Sequence, residues 1–344
     1  MKKNTMKKVT GGLMSVAALA SGVTPVMADE AALTAEYQSG AFHVEATVKQ
    51  TEALVEVSEV KGEFGFSQNT ITPSDEIFNV FGTAITGLCA KPWFAFEEGN
   101  ELVGDYYINV SGDMKRSYSV SLSDLKKTDH RTEMMKCSCA TSTAIAQTYV
   151  TGIPMESILS LAELDEGVNT VTLTGSDGYS AVLPLSCVLN NNAMLVYQVG
   201  DKAFAGGNNQ FWMPKAAANY FTRNVVDIKV SREAEAPQLN GVDDDMRAKV
   251  CIMNKGGSAA LGSTLCFEGY ADDCGTPIAA VEFSLDGGKN WTAYETADAS
   301  ADRWVYWNFQ YQPEQTGSYE LTVRARTADG TVSPLASSVN FVVE

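Results

Sequence analysis

The chain has 344 residues, 45% of them hydrophobic, and a formal net charge of −17 at pH 7. Its apolar content is ordinary for a globular protein, and its length exceeds what one hydrophobic core usually holds, so we expect two domains. An acidic surface repels phosphates, which argues against nucleic acid and anionic membranes as partners. The seven cysteines are an odd number, so at least one thiol stays outside any set of disulfides.

Residues 1–28 are typical of a secretory signal peptide. A lysine-rich head precedes an apolar centre, and small or apolar residues end at Ala28. The head has Lys-Lys where a route for folded cargo needs paired arginines, so we expect export of the unfolded chain to a secreted or extracytoplasmic location. Cleavage removes four lysines and no acids, which changes the formal charge from −17 to −21 and leaves about 316 residues. No other segment approaches the roughly 20 apolar residues of a membrane span.

Residues 29–232 are predicted to form an α+β domain with a mixed sheet. Alternating runs at 41–48 and 53–60 predict a β-hairpin, and Ser74 is a good N-cap for a helix over 74–87. Further strands are predicted at 105–110, 168–174, 180–185, 194–199 and 225–230, with a capped helical turn at 121–125 and a helix over 154–164. This irregular order of strands and short helices favours a mixed sheet over a doubly wound one.

The polar, acidic stretch 233–245 is predicted to be a linker, and 246–344 to be an all-β domain. Seven short strands separated by turns are predicted at 249–254, 264–270, 279–285, 291–294, 304–311, 317–326 and 337–343. This number and spacing favour an immunoglobulin-like sandwich. Asp286-Gly287-Gly288 is predicted to be a tight hairpin turn, and Trp291, Trp304 and Trp307 are predicted to fill the core.

The stretch 132–154 places Cys137 and Cys139 on one predicted strand, followed by a turn at 151–154. Strand residues two apart stand about 6.6 Å from each other with parallel side chains, so a bond between these two thiols is not expected. Taken alone, the pair favours core packing or a disulfide elsewhere over a metal site, and a cysteine-based redox role is a further hypothesis. Cys266 and Cys274 are spaced for a loop disulfide, with Cys251 as a competitor.

Two parts of the chain resemble the sulfite-oxidase-type molybdopterin-dependent oxidoreductases. The stretch 281–291, with Trp304, Trp307 and Asp329-Gly330, resembles the family's C-terminal immunoglobulin-like dimerisation domain. Before it, the pieces 107–112, 121–125, the cysteine strand, 151–154, 176–179, 183–185 and 225–230 occur in the order of the family's molybdopterin-binding domain. The resemblance covers about 104–344, and residues 29–100 match less well.

This resemblance implies an exported oxidoreductase that transfers an oxygen atom at a cysteine-ligated molybdenum. It implies Cys139 as the catalytic residue and metal ligand, with Cys137 as the runner-up, because a soft thiolate suits a molybdenum–molybdopterin centre. The backbone N–H groups of 206–209 are expected near the pterin phosphate. The other implied cofactor-binding residues are Lys215, Tyr220, Arg223, Asp177, Gly178 and Tyr179.

The implied partners are a small oxo-type substrate, a second copy bound through the C-terminal domain, and a separate electron-transfer protein. The electron-transfer protein is expected because the chain has neither a haem attachment motif nor a spaced cysteine quartet. The chain departs from the family in lacking an Arg-Asn-His-like element in 29–100 and in having Ala140-Thr141-Ser142-Thr143 after the cysteine. The alternative function is therefore that of a cofactor-free relative, an extracellular binding or interaction protein.

Overall fold

The computed structural model describes residues 53–72, 107–138, 144–204, 206–239 and 248–344. These ranges are rich in strands and contain only short helices. The strands are β1 (Gly62–Ser67), β2 (Tyr107–Gly112), β3 (Tyr118–Ser121), β4 (Arg131–Ser138), β5 (Ala144–Pro154), β6 (Thr170–Gly175), β7 (Ser180–Pro184), β8 (Met194–Val199), β9 (Lys202–Ala203), β10 (Gln210–Trp212), β11 (Val225–Ser231), β12 (Lys249–Ile252), β13 (Gly257–Ala259), β14 (Leu265–Asp272), β15 (Ile278–Ser284), β16 (Thr292–Glu295), β17 (Val305–Tyr311), β18 (Gly317–Thr327) and β19 (Ser337–Val343). The helices are α1 (Leu122–Leu125), α2 (Met155–Ser160), α3 (Leu185–Asn190) and one 3-10 turn (Ala218–Tyr220).

Two five-stranded sheets build the first part of the structure. One has the order β10-β8-β5-β4, with β9 paired to β8, and the other has the order β3-β2-β11-β6-β7. Strand β11 runs parallel to β2 and antiparallel to β6, so the second sheet is mixed. Both sheets and the short helices contribute to one hydrophobic cluster in which Val110, Leu173 and Ile228 are fully buried. The predicted α+β class with a mixed sheet is confirmed.

The second part is a β-sandwich, as predicted. Its sheets have the orders β1-β17-β14-β12 and β13-β19-β18-β15-β16. Each of the seven predicted strands overlaps an observed one, and the predicted turn is present, with φ of 70° at Gly287 and 80° at Gly288. Trp304 and Trp307 are buried in the core as predicted, whereas Trp291 is only half-buried and has the guanidinium of Arg324 4.1 Å above its ring.

The N-terminal described segment packs on the sandwich. Strand β1 pairs antiparallel with β17, although the sequence had assigned this segment to the first domain. The run 53–60 is not a hairpin strand; it lies along the sandwich, where Val55 N–H donates to the Ser318 carbonyl at 2.8 Å and Val57 pairs with Leu285. Its alternation arises because Val55 and Val57 pack on the sandwich core. The other predicted hairpin strand, 41–48, and the helix over 74–87 lie outside the described residues.

Two boundaries in the first part differ from prediction. The expected turn at 151–154 is the end of β5, where Gly152 lies so close to β8 that a Cβ there would stand 2.6 Å from the Leu195 carbonyl oxygen. The helix expected to reach residue 164 ends at Ser160, because Glu163 adopts a left-handed φ of 51° and the chain reverses to pair Leu164 with Met114. Helix α3 and strand β10 were not predicted.

The described cysteines form no disulfide with one another, so the suggested Cys266–Cys274 bond is not present. Searching the described residues for a helix of sufficient length and apolar character to cross a membrane finds none.

Candidate functional site

Five of the sequence-predicted residues meet beside the β6–β7 hairpin. Gly178 has a φ of 84°, which lets the turn close with its N–H donating to the Gly175 carbonyl at 2.9 Å. The Asp177 carboxylate accepts from the Tyr179 N–H at 3.0 Å and lies 3.5 Å from Nη2 of Arg223. The Tyr179 hydroxyl donates to the carbonyl of Asn219, beside Tyr220.

Tyr220 and Arg223 lie on the connection between β10 and β11. Burial, and to a smaller degree the neighbouring Tyr179, raises the pKa of the Tyr220 phenol, so this hydroxyl remains a hydrogen-bond donor at neutral pH. Arg223 is only half-buried, and its ion pair with Asp177 is long and accessible to water. Such a pair contributes little stability, so the guanidinium can exchange Asp177 for an anionic ligand at small cost.

The cysteine strand ends next to this connection. Ser138, the last residue of β4, forms a parallel bridge with Ala217, just before the 3-10 turn that carries Tyr220. Cys137 is 2% exposed and belongs to the hydrophobic core of the first part. Cys139, the preferred ligand, lies outside the described residues, so the structure places the end of β4 beside the site without describing that thiol.

Lys215 contacts a different region. It adopts a left-handed φ of 61°, and its Nζ lies 3.3 Å from Asp302 of the sandwich. It lines a polar cleft of about 780 Å³ together with Glu133, Arg303 and residues 190–192. The ion pair with Asp302 therefore connects Lys215 to the sandwich.

A buried amide that lacks hydrogen-bond partners marks the 206–209 loop. Neighbouring Asn209 is satisfied, since its Oδ1 accepts from the Val225 N–H at 2.9 Å and its Nδ2 donates to the carbonyls of Gly207 and Val225. Asn208 is also 0% exposed, yet neither its Nδ2 nor its Oδ1 has a partner. Oδ1 of Asn219, beside Tyr220, is likewise buried and unpartnered. Such groups are costly unless a ligand completes them.

These residues fit a pterin better than a metal ion held by the protein alone. The described residues contain no group of three or more His, Cys, Asp or Glu side chains that could hold a metal. What they offer is amide donors and acceptors, a protonated tyrosine and an arginine. These groups suit a polar heterocycle that carries a phosphate.

Comparison with known proteins identifies the family that this part of the chain resembles. Residues 98–237 match the family model of the oxidoreductase molybdopterin-binding domain. The chain resembles the sulfite-oxidase-type molybdopterin-binding family. The matched segment includes all five clustered residues, Lys215 and the cysteine strand, so the resemblance recognised in the sequence is confirmed. No curated protein sequence matches the chain.

Among solved structures, the sulfane dehydrogenase SoxCD from Paracoccus pantotrophus is 18% identical, with a TM-score of 0.56 over 86% of this chain and 88% of that chain. At this identity the match shows a shared fold. Dimeric latent PorU from Porphyromonas gingivalis, 10% identical over 62% of this chain and 24% of that chain, has a TM-score of only 0.25 and supports no comparison.

Sequence reasoning missed the two asparagine side chains. It selected the 206–209 loop for its backbone N–H groups, which a Gly-Gly-Asn-Asn sequence suggests. Whether a loop asparagine is buried and paired depends on contacts made only in the folded chain, as the hydrogen bonds of neighbouring Asn209 with Asn224 and Val225 illustrate. A sequence contains no direct signal for that arrangement.

Proposed function

We propose that the protein is an exported molybdopterin-dependent oxidoreductase. The observation that carries the proposal is the fully buried, unpartnered amide of Asn208 in the segment matched by the molybdopterin-binding family. A folded protein rarely leaves both atoms of a buried amide unsatisfied, because each costs free energy that a bound ligand can recover. When bound, the cofactor would supply oxygen-atom transfer at molybdenum.

Three groups of the chain's own residues would hold the cofactor. Asn208 and Asn219 would pair with the edge of the ring, where donors and acceptors alternate. Arg223 and Tyr220 would bind the phosphate, and Asp177 would give up its exposed ion pair with Arg223. The Gly178 turn presents Tyr179 at the rim of this cluster.

Lys215 would join the phosphate only by leaving Asp302. Both of these side chains are largely exposed, so their ion pair is worth little and does not oppose the movement. Cys139 would be the thiolate ligand and the catalytic residue, with Cys137 as the alternative ligand. The burial of Cys137 in the apolar core favours Cys139, because a ligand thiol must be deprotonated and burial in apolar surroundings disfavours the thiolate.

Three partners are proposed from the resemblance to the molybdopterin-dependent family. A small oxo-type substrate would react, a separate electron-transfer protein would take or supply electrons, and the sandwich would pair two copies of the chain. Export by the signal peptide at 1–28 would place the reaction outside the cytoplasm.

The test is the cofactor content of the mature protein purified from a host that makes molybdopterin. We expect about one molybdenum and one pterin per chain, measured by elemental analysis and by fluorescence of the oxidised pterin. Arg223→Ala should lower both contents together, whereas Lys229→Ala, which changes an exposed lysine on β11, should leave them unchanged. Wild-type protein without molybdenum and without pterin would overturn the proposal in favour of a cofactor-free binding protein.

A further inference from the structure

A buried group of charges joins the cysteine strand to the sandwich. Lys136 on β4 and Asp272 at the end of β14 form an ion pair whose side chains are 4% and 1% exposed. Lys249 and Asp273 are buried beside them, so two lysines and two aspartates balance in charge. None of these residues belongs to the candidate cofactor site described above.

Asp272 contacts two alternate residues of β4 at once. One carboxylate oxygen accepts from Nζ of Lys136, and the other accepts from Oγ of Ser138 at 2.5 Å. Lys136 also donates to the Asp273 carbonyl at 2.8 Å. Because strand side chains alternate, Lys136 and Ser138 face the sandwich and Cys137 between them faces the core of the first part.

The carboxylate itself is held rigidly. Asp272 lies opposite Lys249 in the pairing of β12 with β14. The next residue, Asp273, accepts with its own carboxylate from the N–H groups of Gly275 and Thr276, at 2.8 and 2.7 Å, which fixes the loop after β14. The sandwich therefore offers Lys136 and Ser138 two acceptor oxygens whose position is fixed by the surrounding sheet and loop.

A buried ion pair contributes little net stability over apolar residues of the same size, and in some proteins it specifies one arrangement of the chain. Here the contacts with Asp272 fix the orientation of β4 at its last residue. A twist or slip of the strand end by one residue would remove Ser138 and Lys136 from Asp272 and bring Cys137 to the charged face.

We propose that Asp272 is a positioning residue that holds the end of β4 and thereby sets the orientation of Cys137 and of the residue at which the strand ends. The sandwich then completes the first part of the structure by fixing the strand from which a metal ligand would project. The consequence for a bound metal rests on the proposed function; the effect on the strand does not.

The test begins with metal-free protein and the alkylation rate of Cys137 under native conditions, followed by mass spectrometry. Asp272→Asn keeps the shape and removes the charge, and Ser138→Ala removes one hydrogen bond to that charge and nothing else. We expect Cys137 to react about tenfold faster or more in each variant, the size expected for loss of a hydrogen bond to a charged group. Cys187, on α3, should keep its wild-type rate.

Ser284→Ala is the control, since within the sandwich alone it removes a buried serine–aspartate hydrogen bond, to Asp286 at 2.8 Å, together with the bond that Ser284 accepts from the Gly288 N–H at 2.9 Å. It should leave Cys137 unchanged. An unchanged Cys137 rate in both β4-linked variants, or an equal rise at Cys187, would overturn the proposal. If Asp272→Asn does not fold, Ser138→Ala decides.

A second measurement uses cofactor-loaded protein. Asp272→Asn and Ser138→Ala should shift the electron paramagnetic resonance signal of molybdenum(V), while Ser284→Ala should reproduce the wild-type spectrum. An identical spectrum in all four proteins would contradict positioning of the ligand. If no variant binds molybdenum but the alkylation rates differ as expected, the proposed function fails and the positioning of β4 stands.

Discussion

Replacing Asn208 with leucine should stabilise the metal-free protein. Both amide atoms of Asn208 are buried without partners, and an unsatisfied buried polar group costs about 1–3 kcal/mol. Leucine has a similar size and no polar atom, so Asn208→Leu should raise the free energy of unfolding by about that amount. For a domain of this size, the midpoint of thermal unfolding should rise by about 2–4 °C for each kcal/mol.

The neighbouring Asn209→Leu is the matched control, since Asn209 is equally buried but fully paired with Gly207 and Val225. This variant should lose about 1–3 kcal/mol, because the Val225 N–H is left without its acceptor. Urea unfolding of both variants, expressed without cofactor, gives the two free energies. In the cofactor-competent host, Asn208→Leu should lose pterin. If Asn208→Leu destabilises the protein as much as Asn209→Leu does, the Asn208 amide is not an unsatisfied group, and its assignment as a ligand-binding group is refuted.

Two further predictions concern the charges of the structure. Lys136→Met should lower the free energy of unfolding in urea by about 3–5 kcal/mol, because it leaves the buried Asp272 carboxylate without its cation. Lys115→Met breaks an exposed pair with Glu163 and should change the free energy of unfolding by less than about 1 kcal/mol. Similar losses in the two variants would contradict the view that burial determines the size of the effect. Hydrogen bonds from Asn290 lower the pKa of Asp286 to about 2 from 3.8, so the sandwich should keep this stabilisation above about pH 4 and lose it as the pH falls towards 2. Asp286→Asn should flatten that part of the pH profile of unfolding, and a profile identical to wild type would rule out the assignment.

The sandwich was predictable because its signals are local. Period-two patterning located the strands from β12 to β19 apart from the three-residue β13, and Gly287-Gly288 located the turn. Strand β1 was missed because its sequence has two glycines and its partner β17 lies more than 200 residues away, so nothing local indicates the pairing. The β10 strand was missed because three residues are too few to show a period.

In the candidate site too, some features could be predicted from the sequence and others could not. Asp177, Gly178, Tyr179, Tyr220 and Arg223 were found through a family resemblance that preserves their order along the chain, and the fold brings them together. The partner of Lys215 was not predictable, because Asp302 belongs to the sandwich. The contacts of Asp272 with Lys136 and Ser138 join residues more than 130 positions apart, and an aspartate at a strand end has no distinguishing pattern in a sequence.

The proposed function depends most on Cys139, which follows β4 in the sequence and which we propose as the thiolate ligand of molybdenum. X-ray absorption at the molybdenum edge tests this ligation directly by counting the sulfur atoms around the metal. We predict that Cys139→Ser protein shows one sulfur ligand fewer than wild type and that Cys137→Ser protein keeps the wild-type number. The same sulfur count in wild-type and Cys139→Ser proteins would contradict the account.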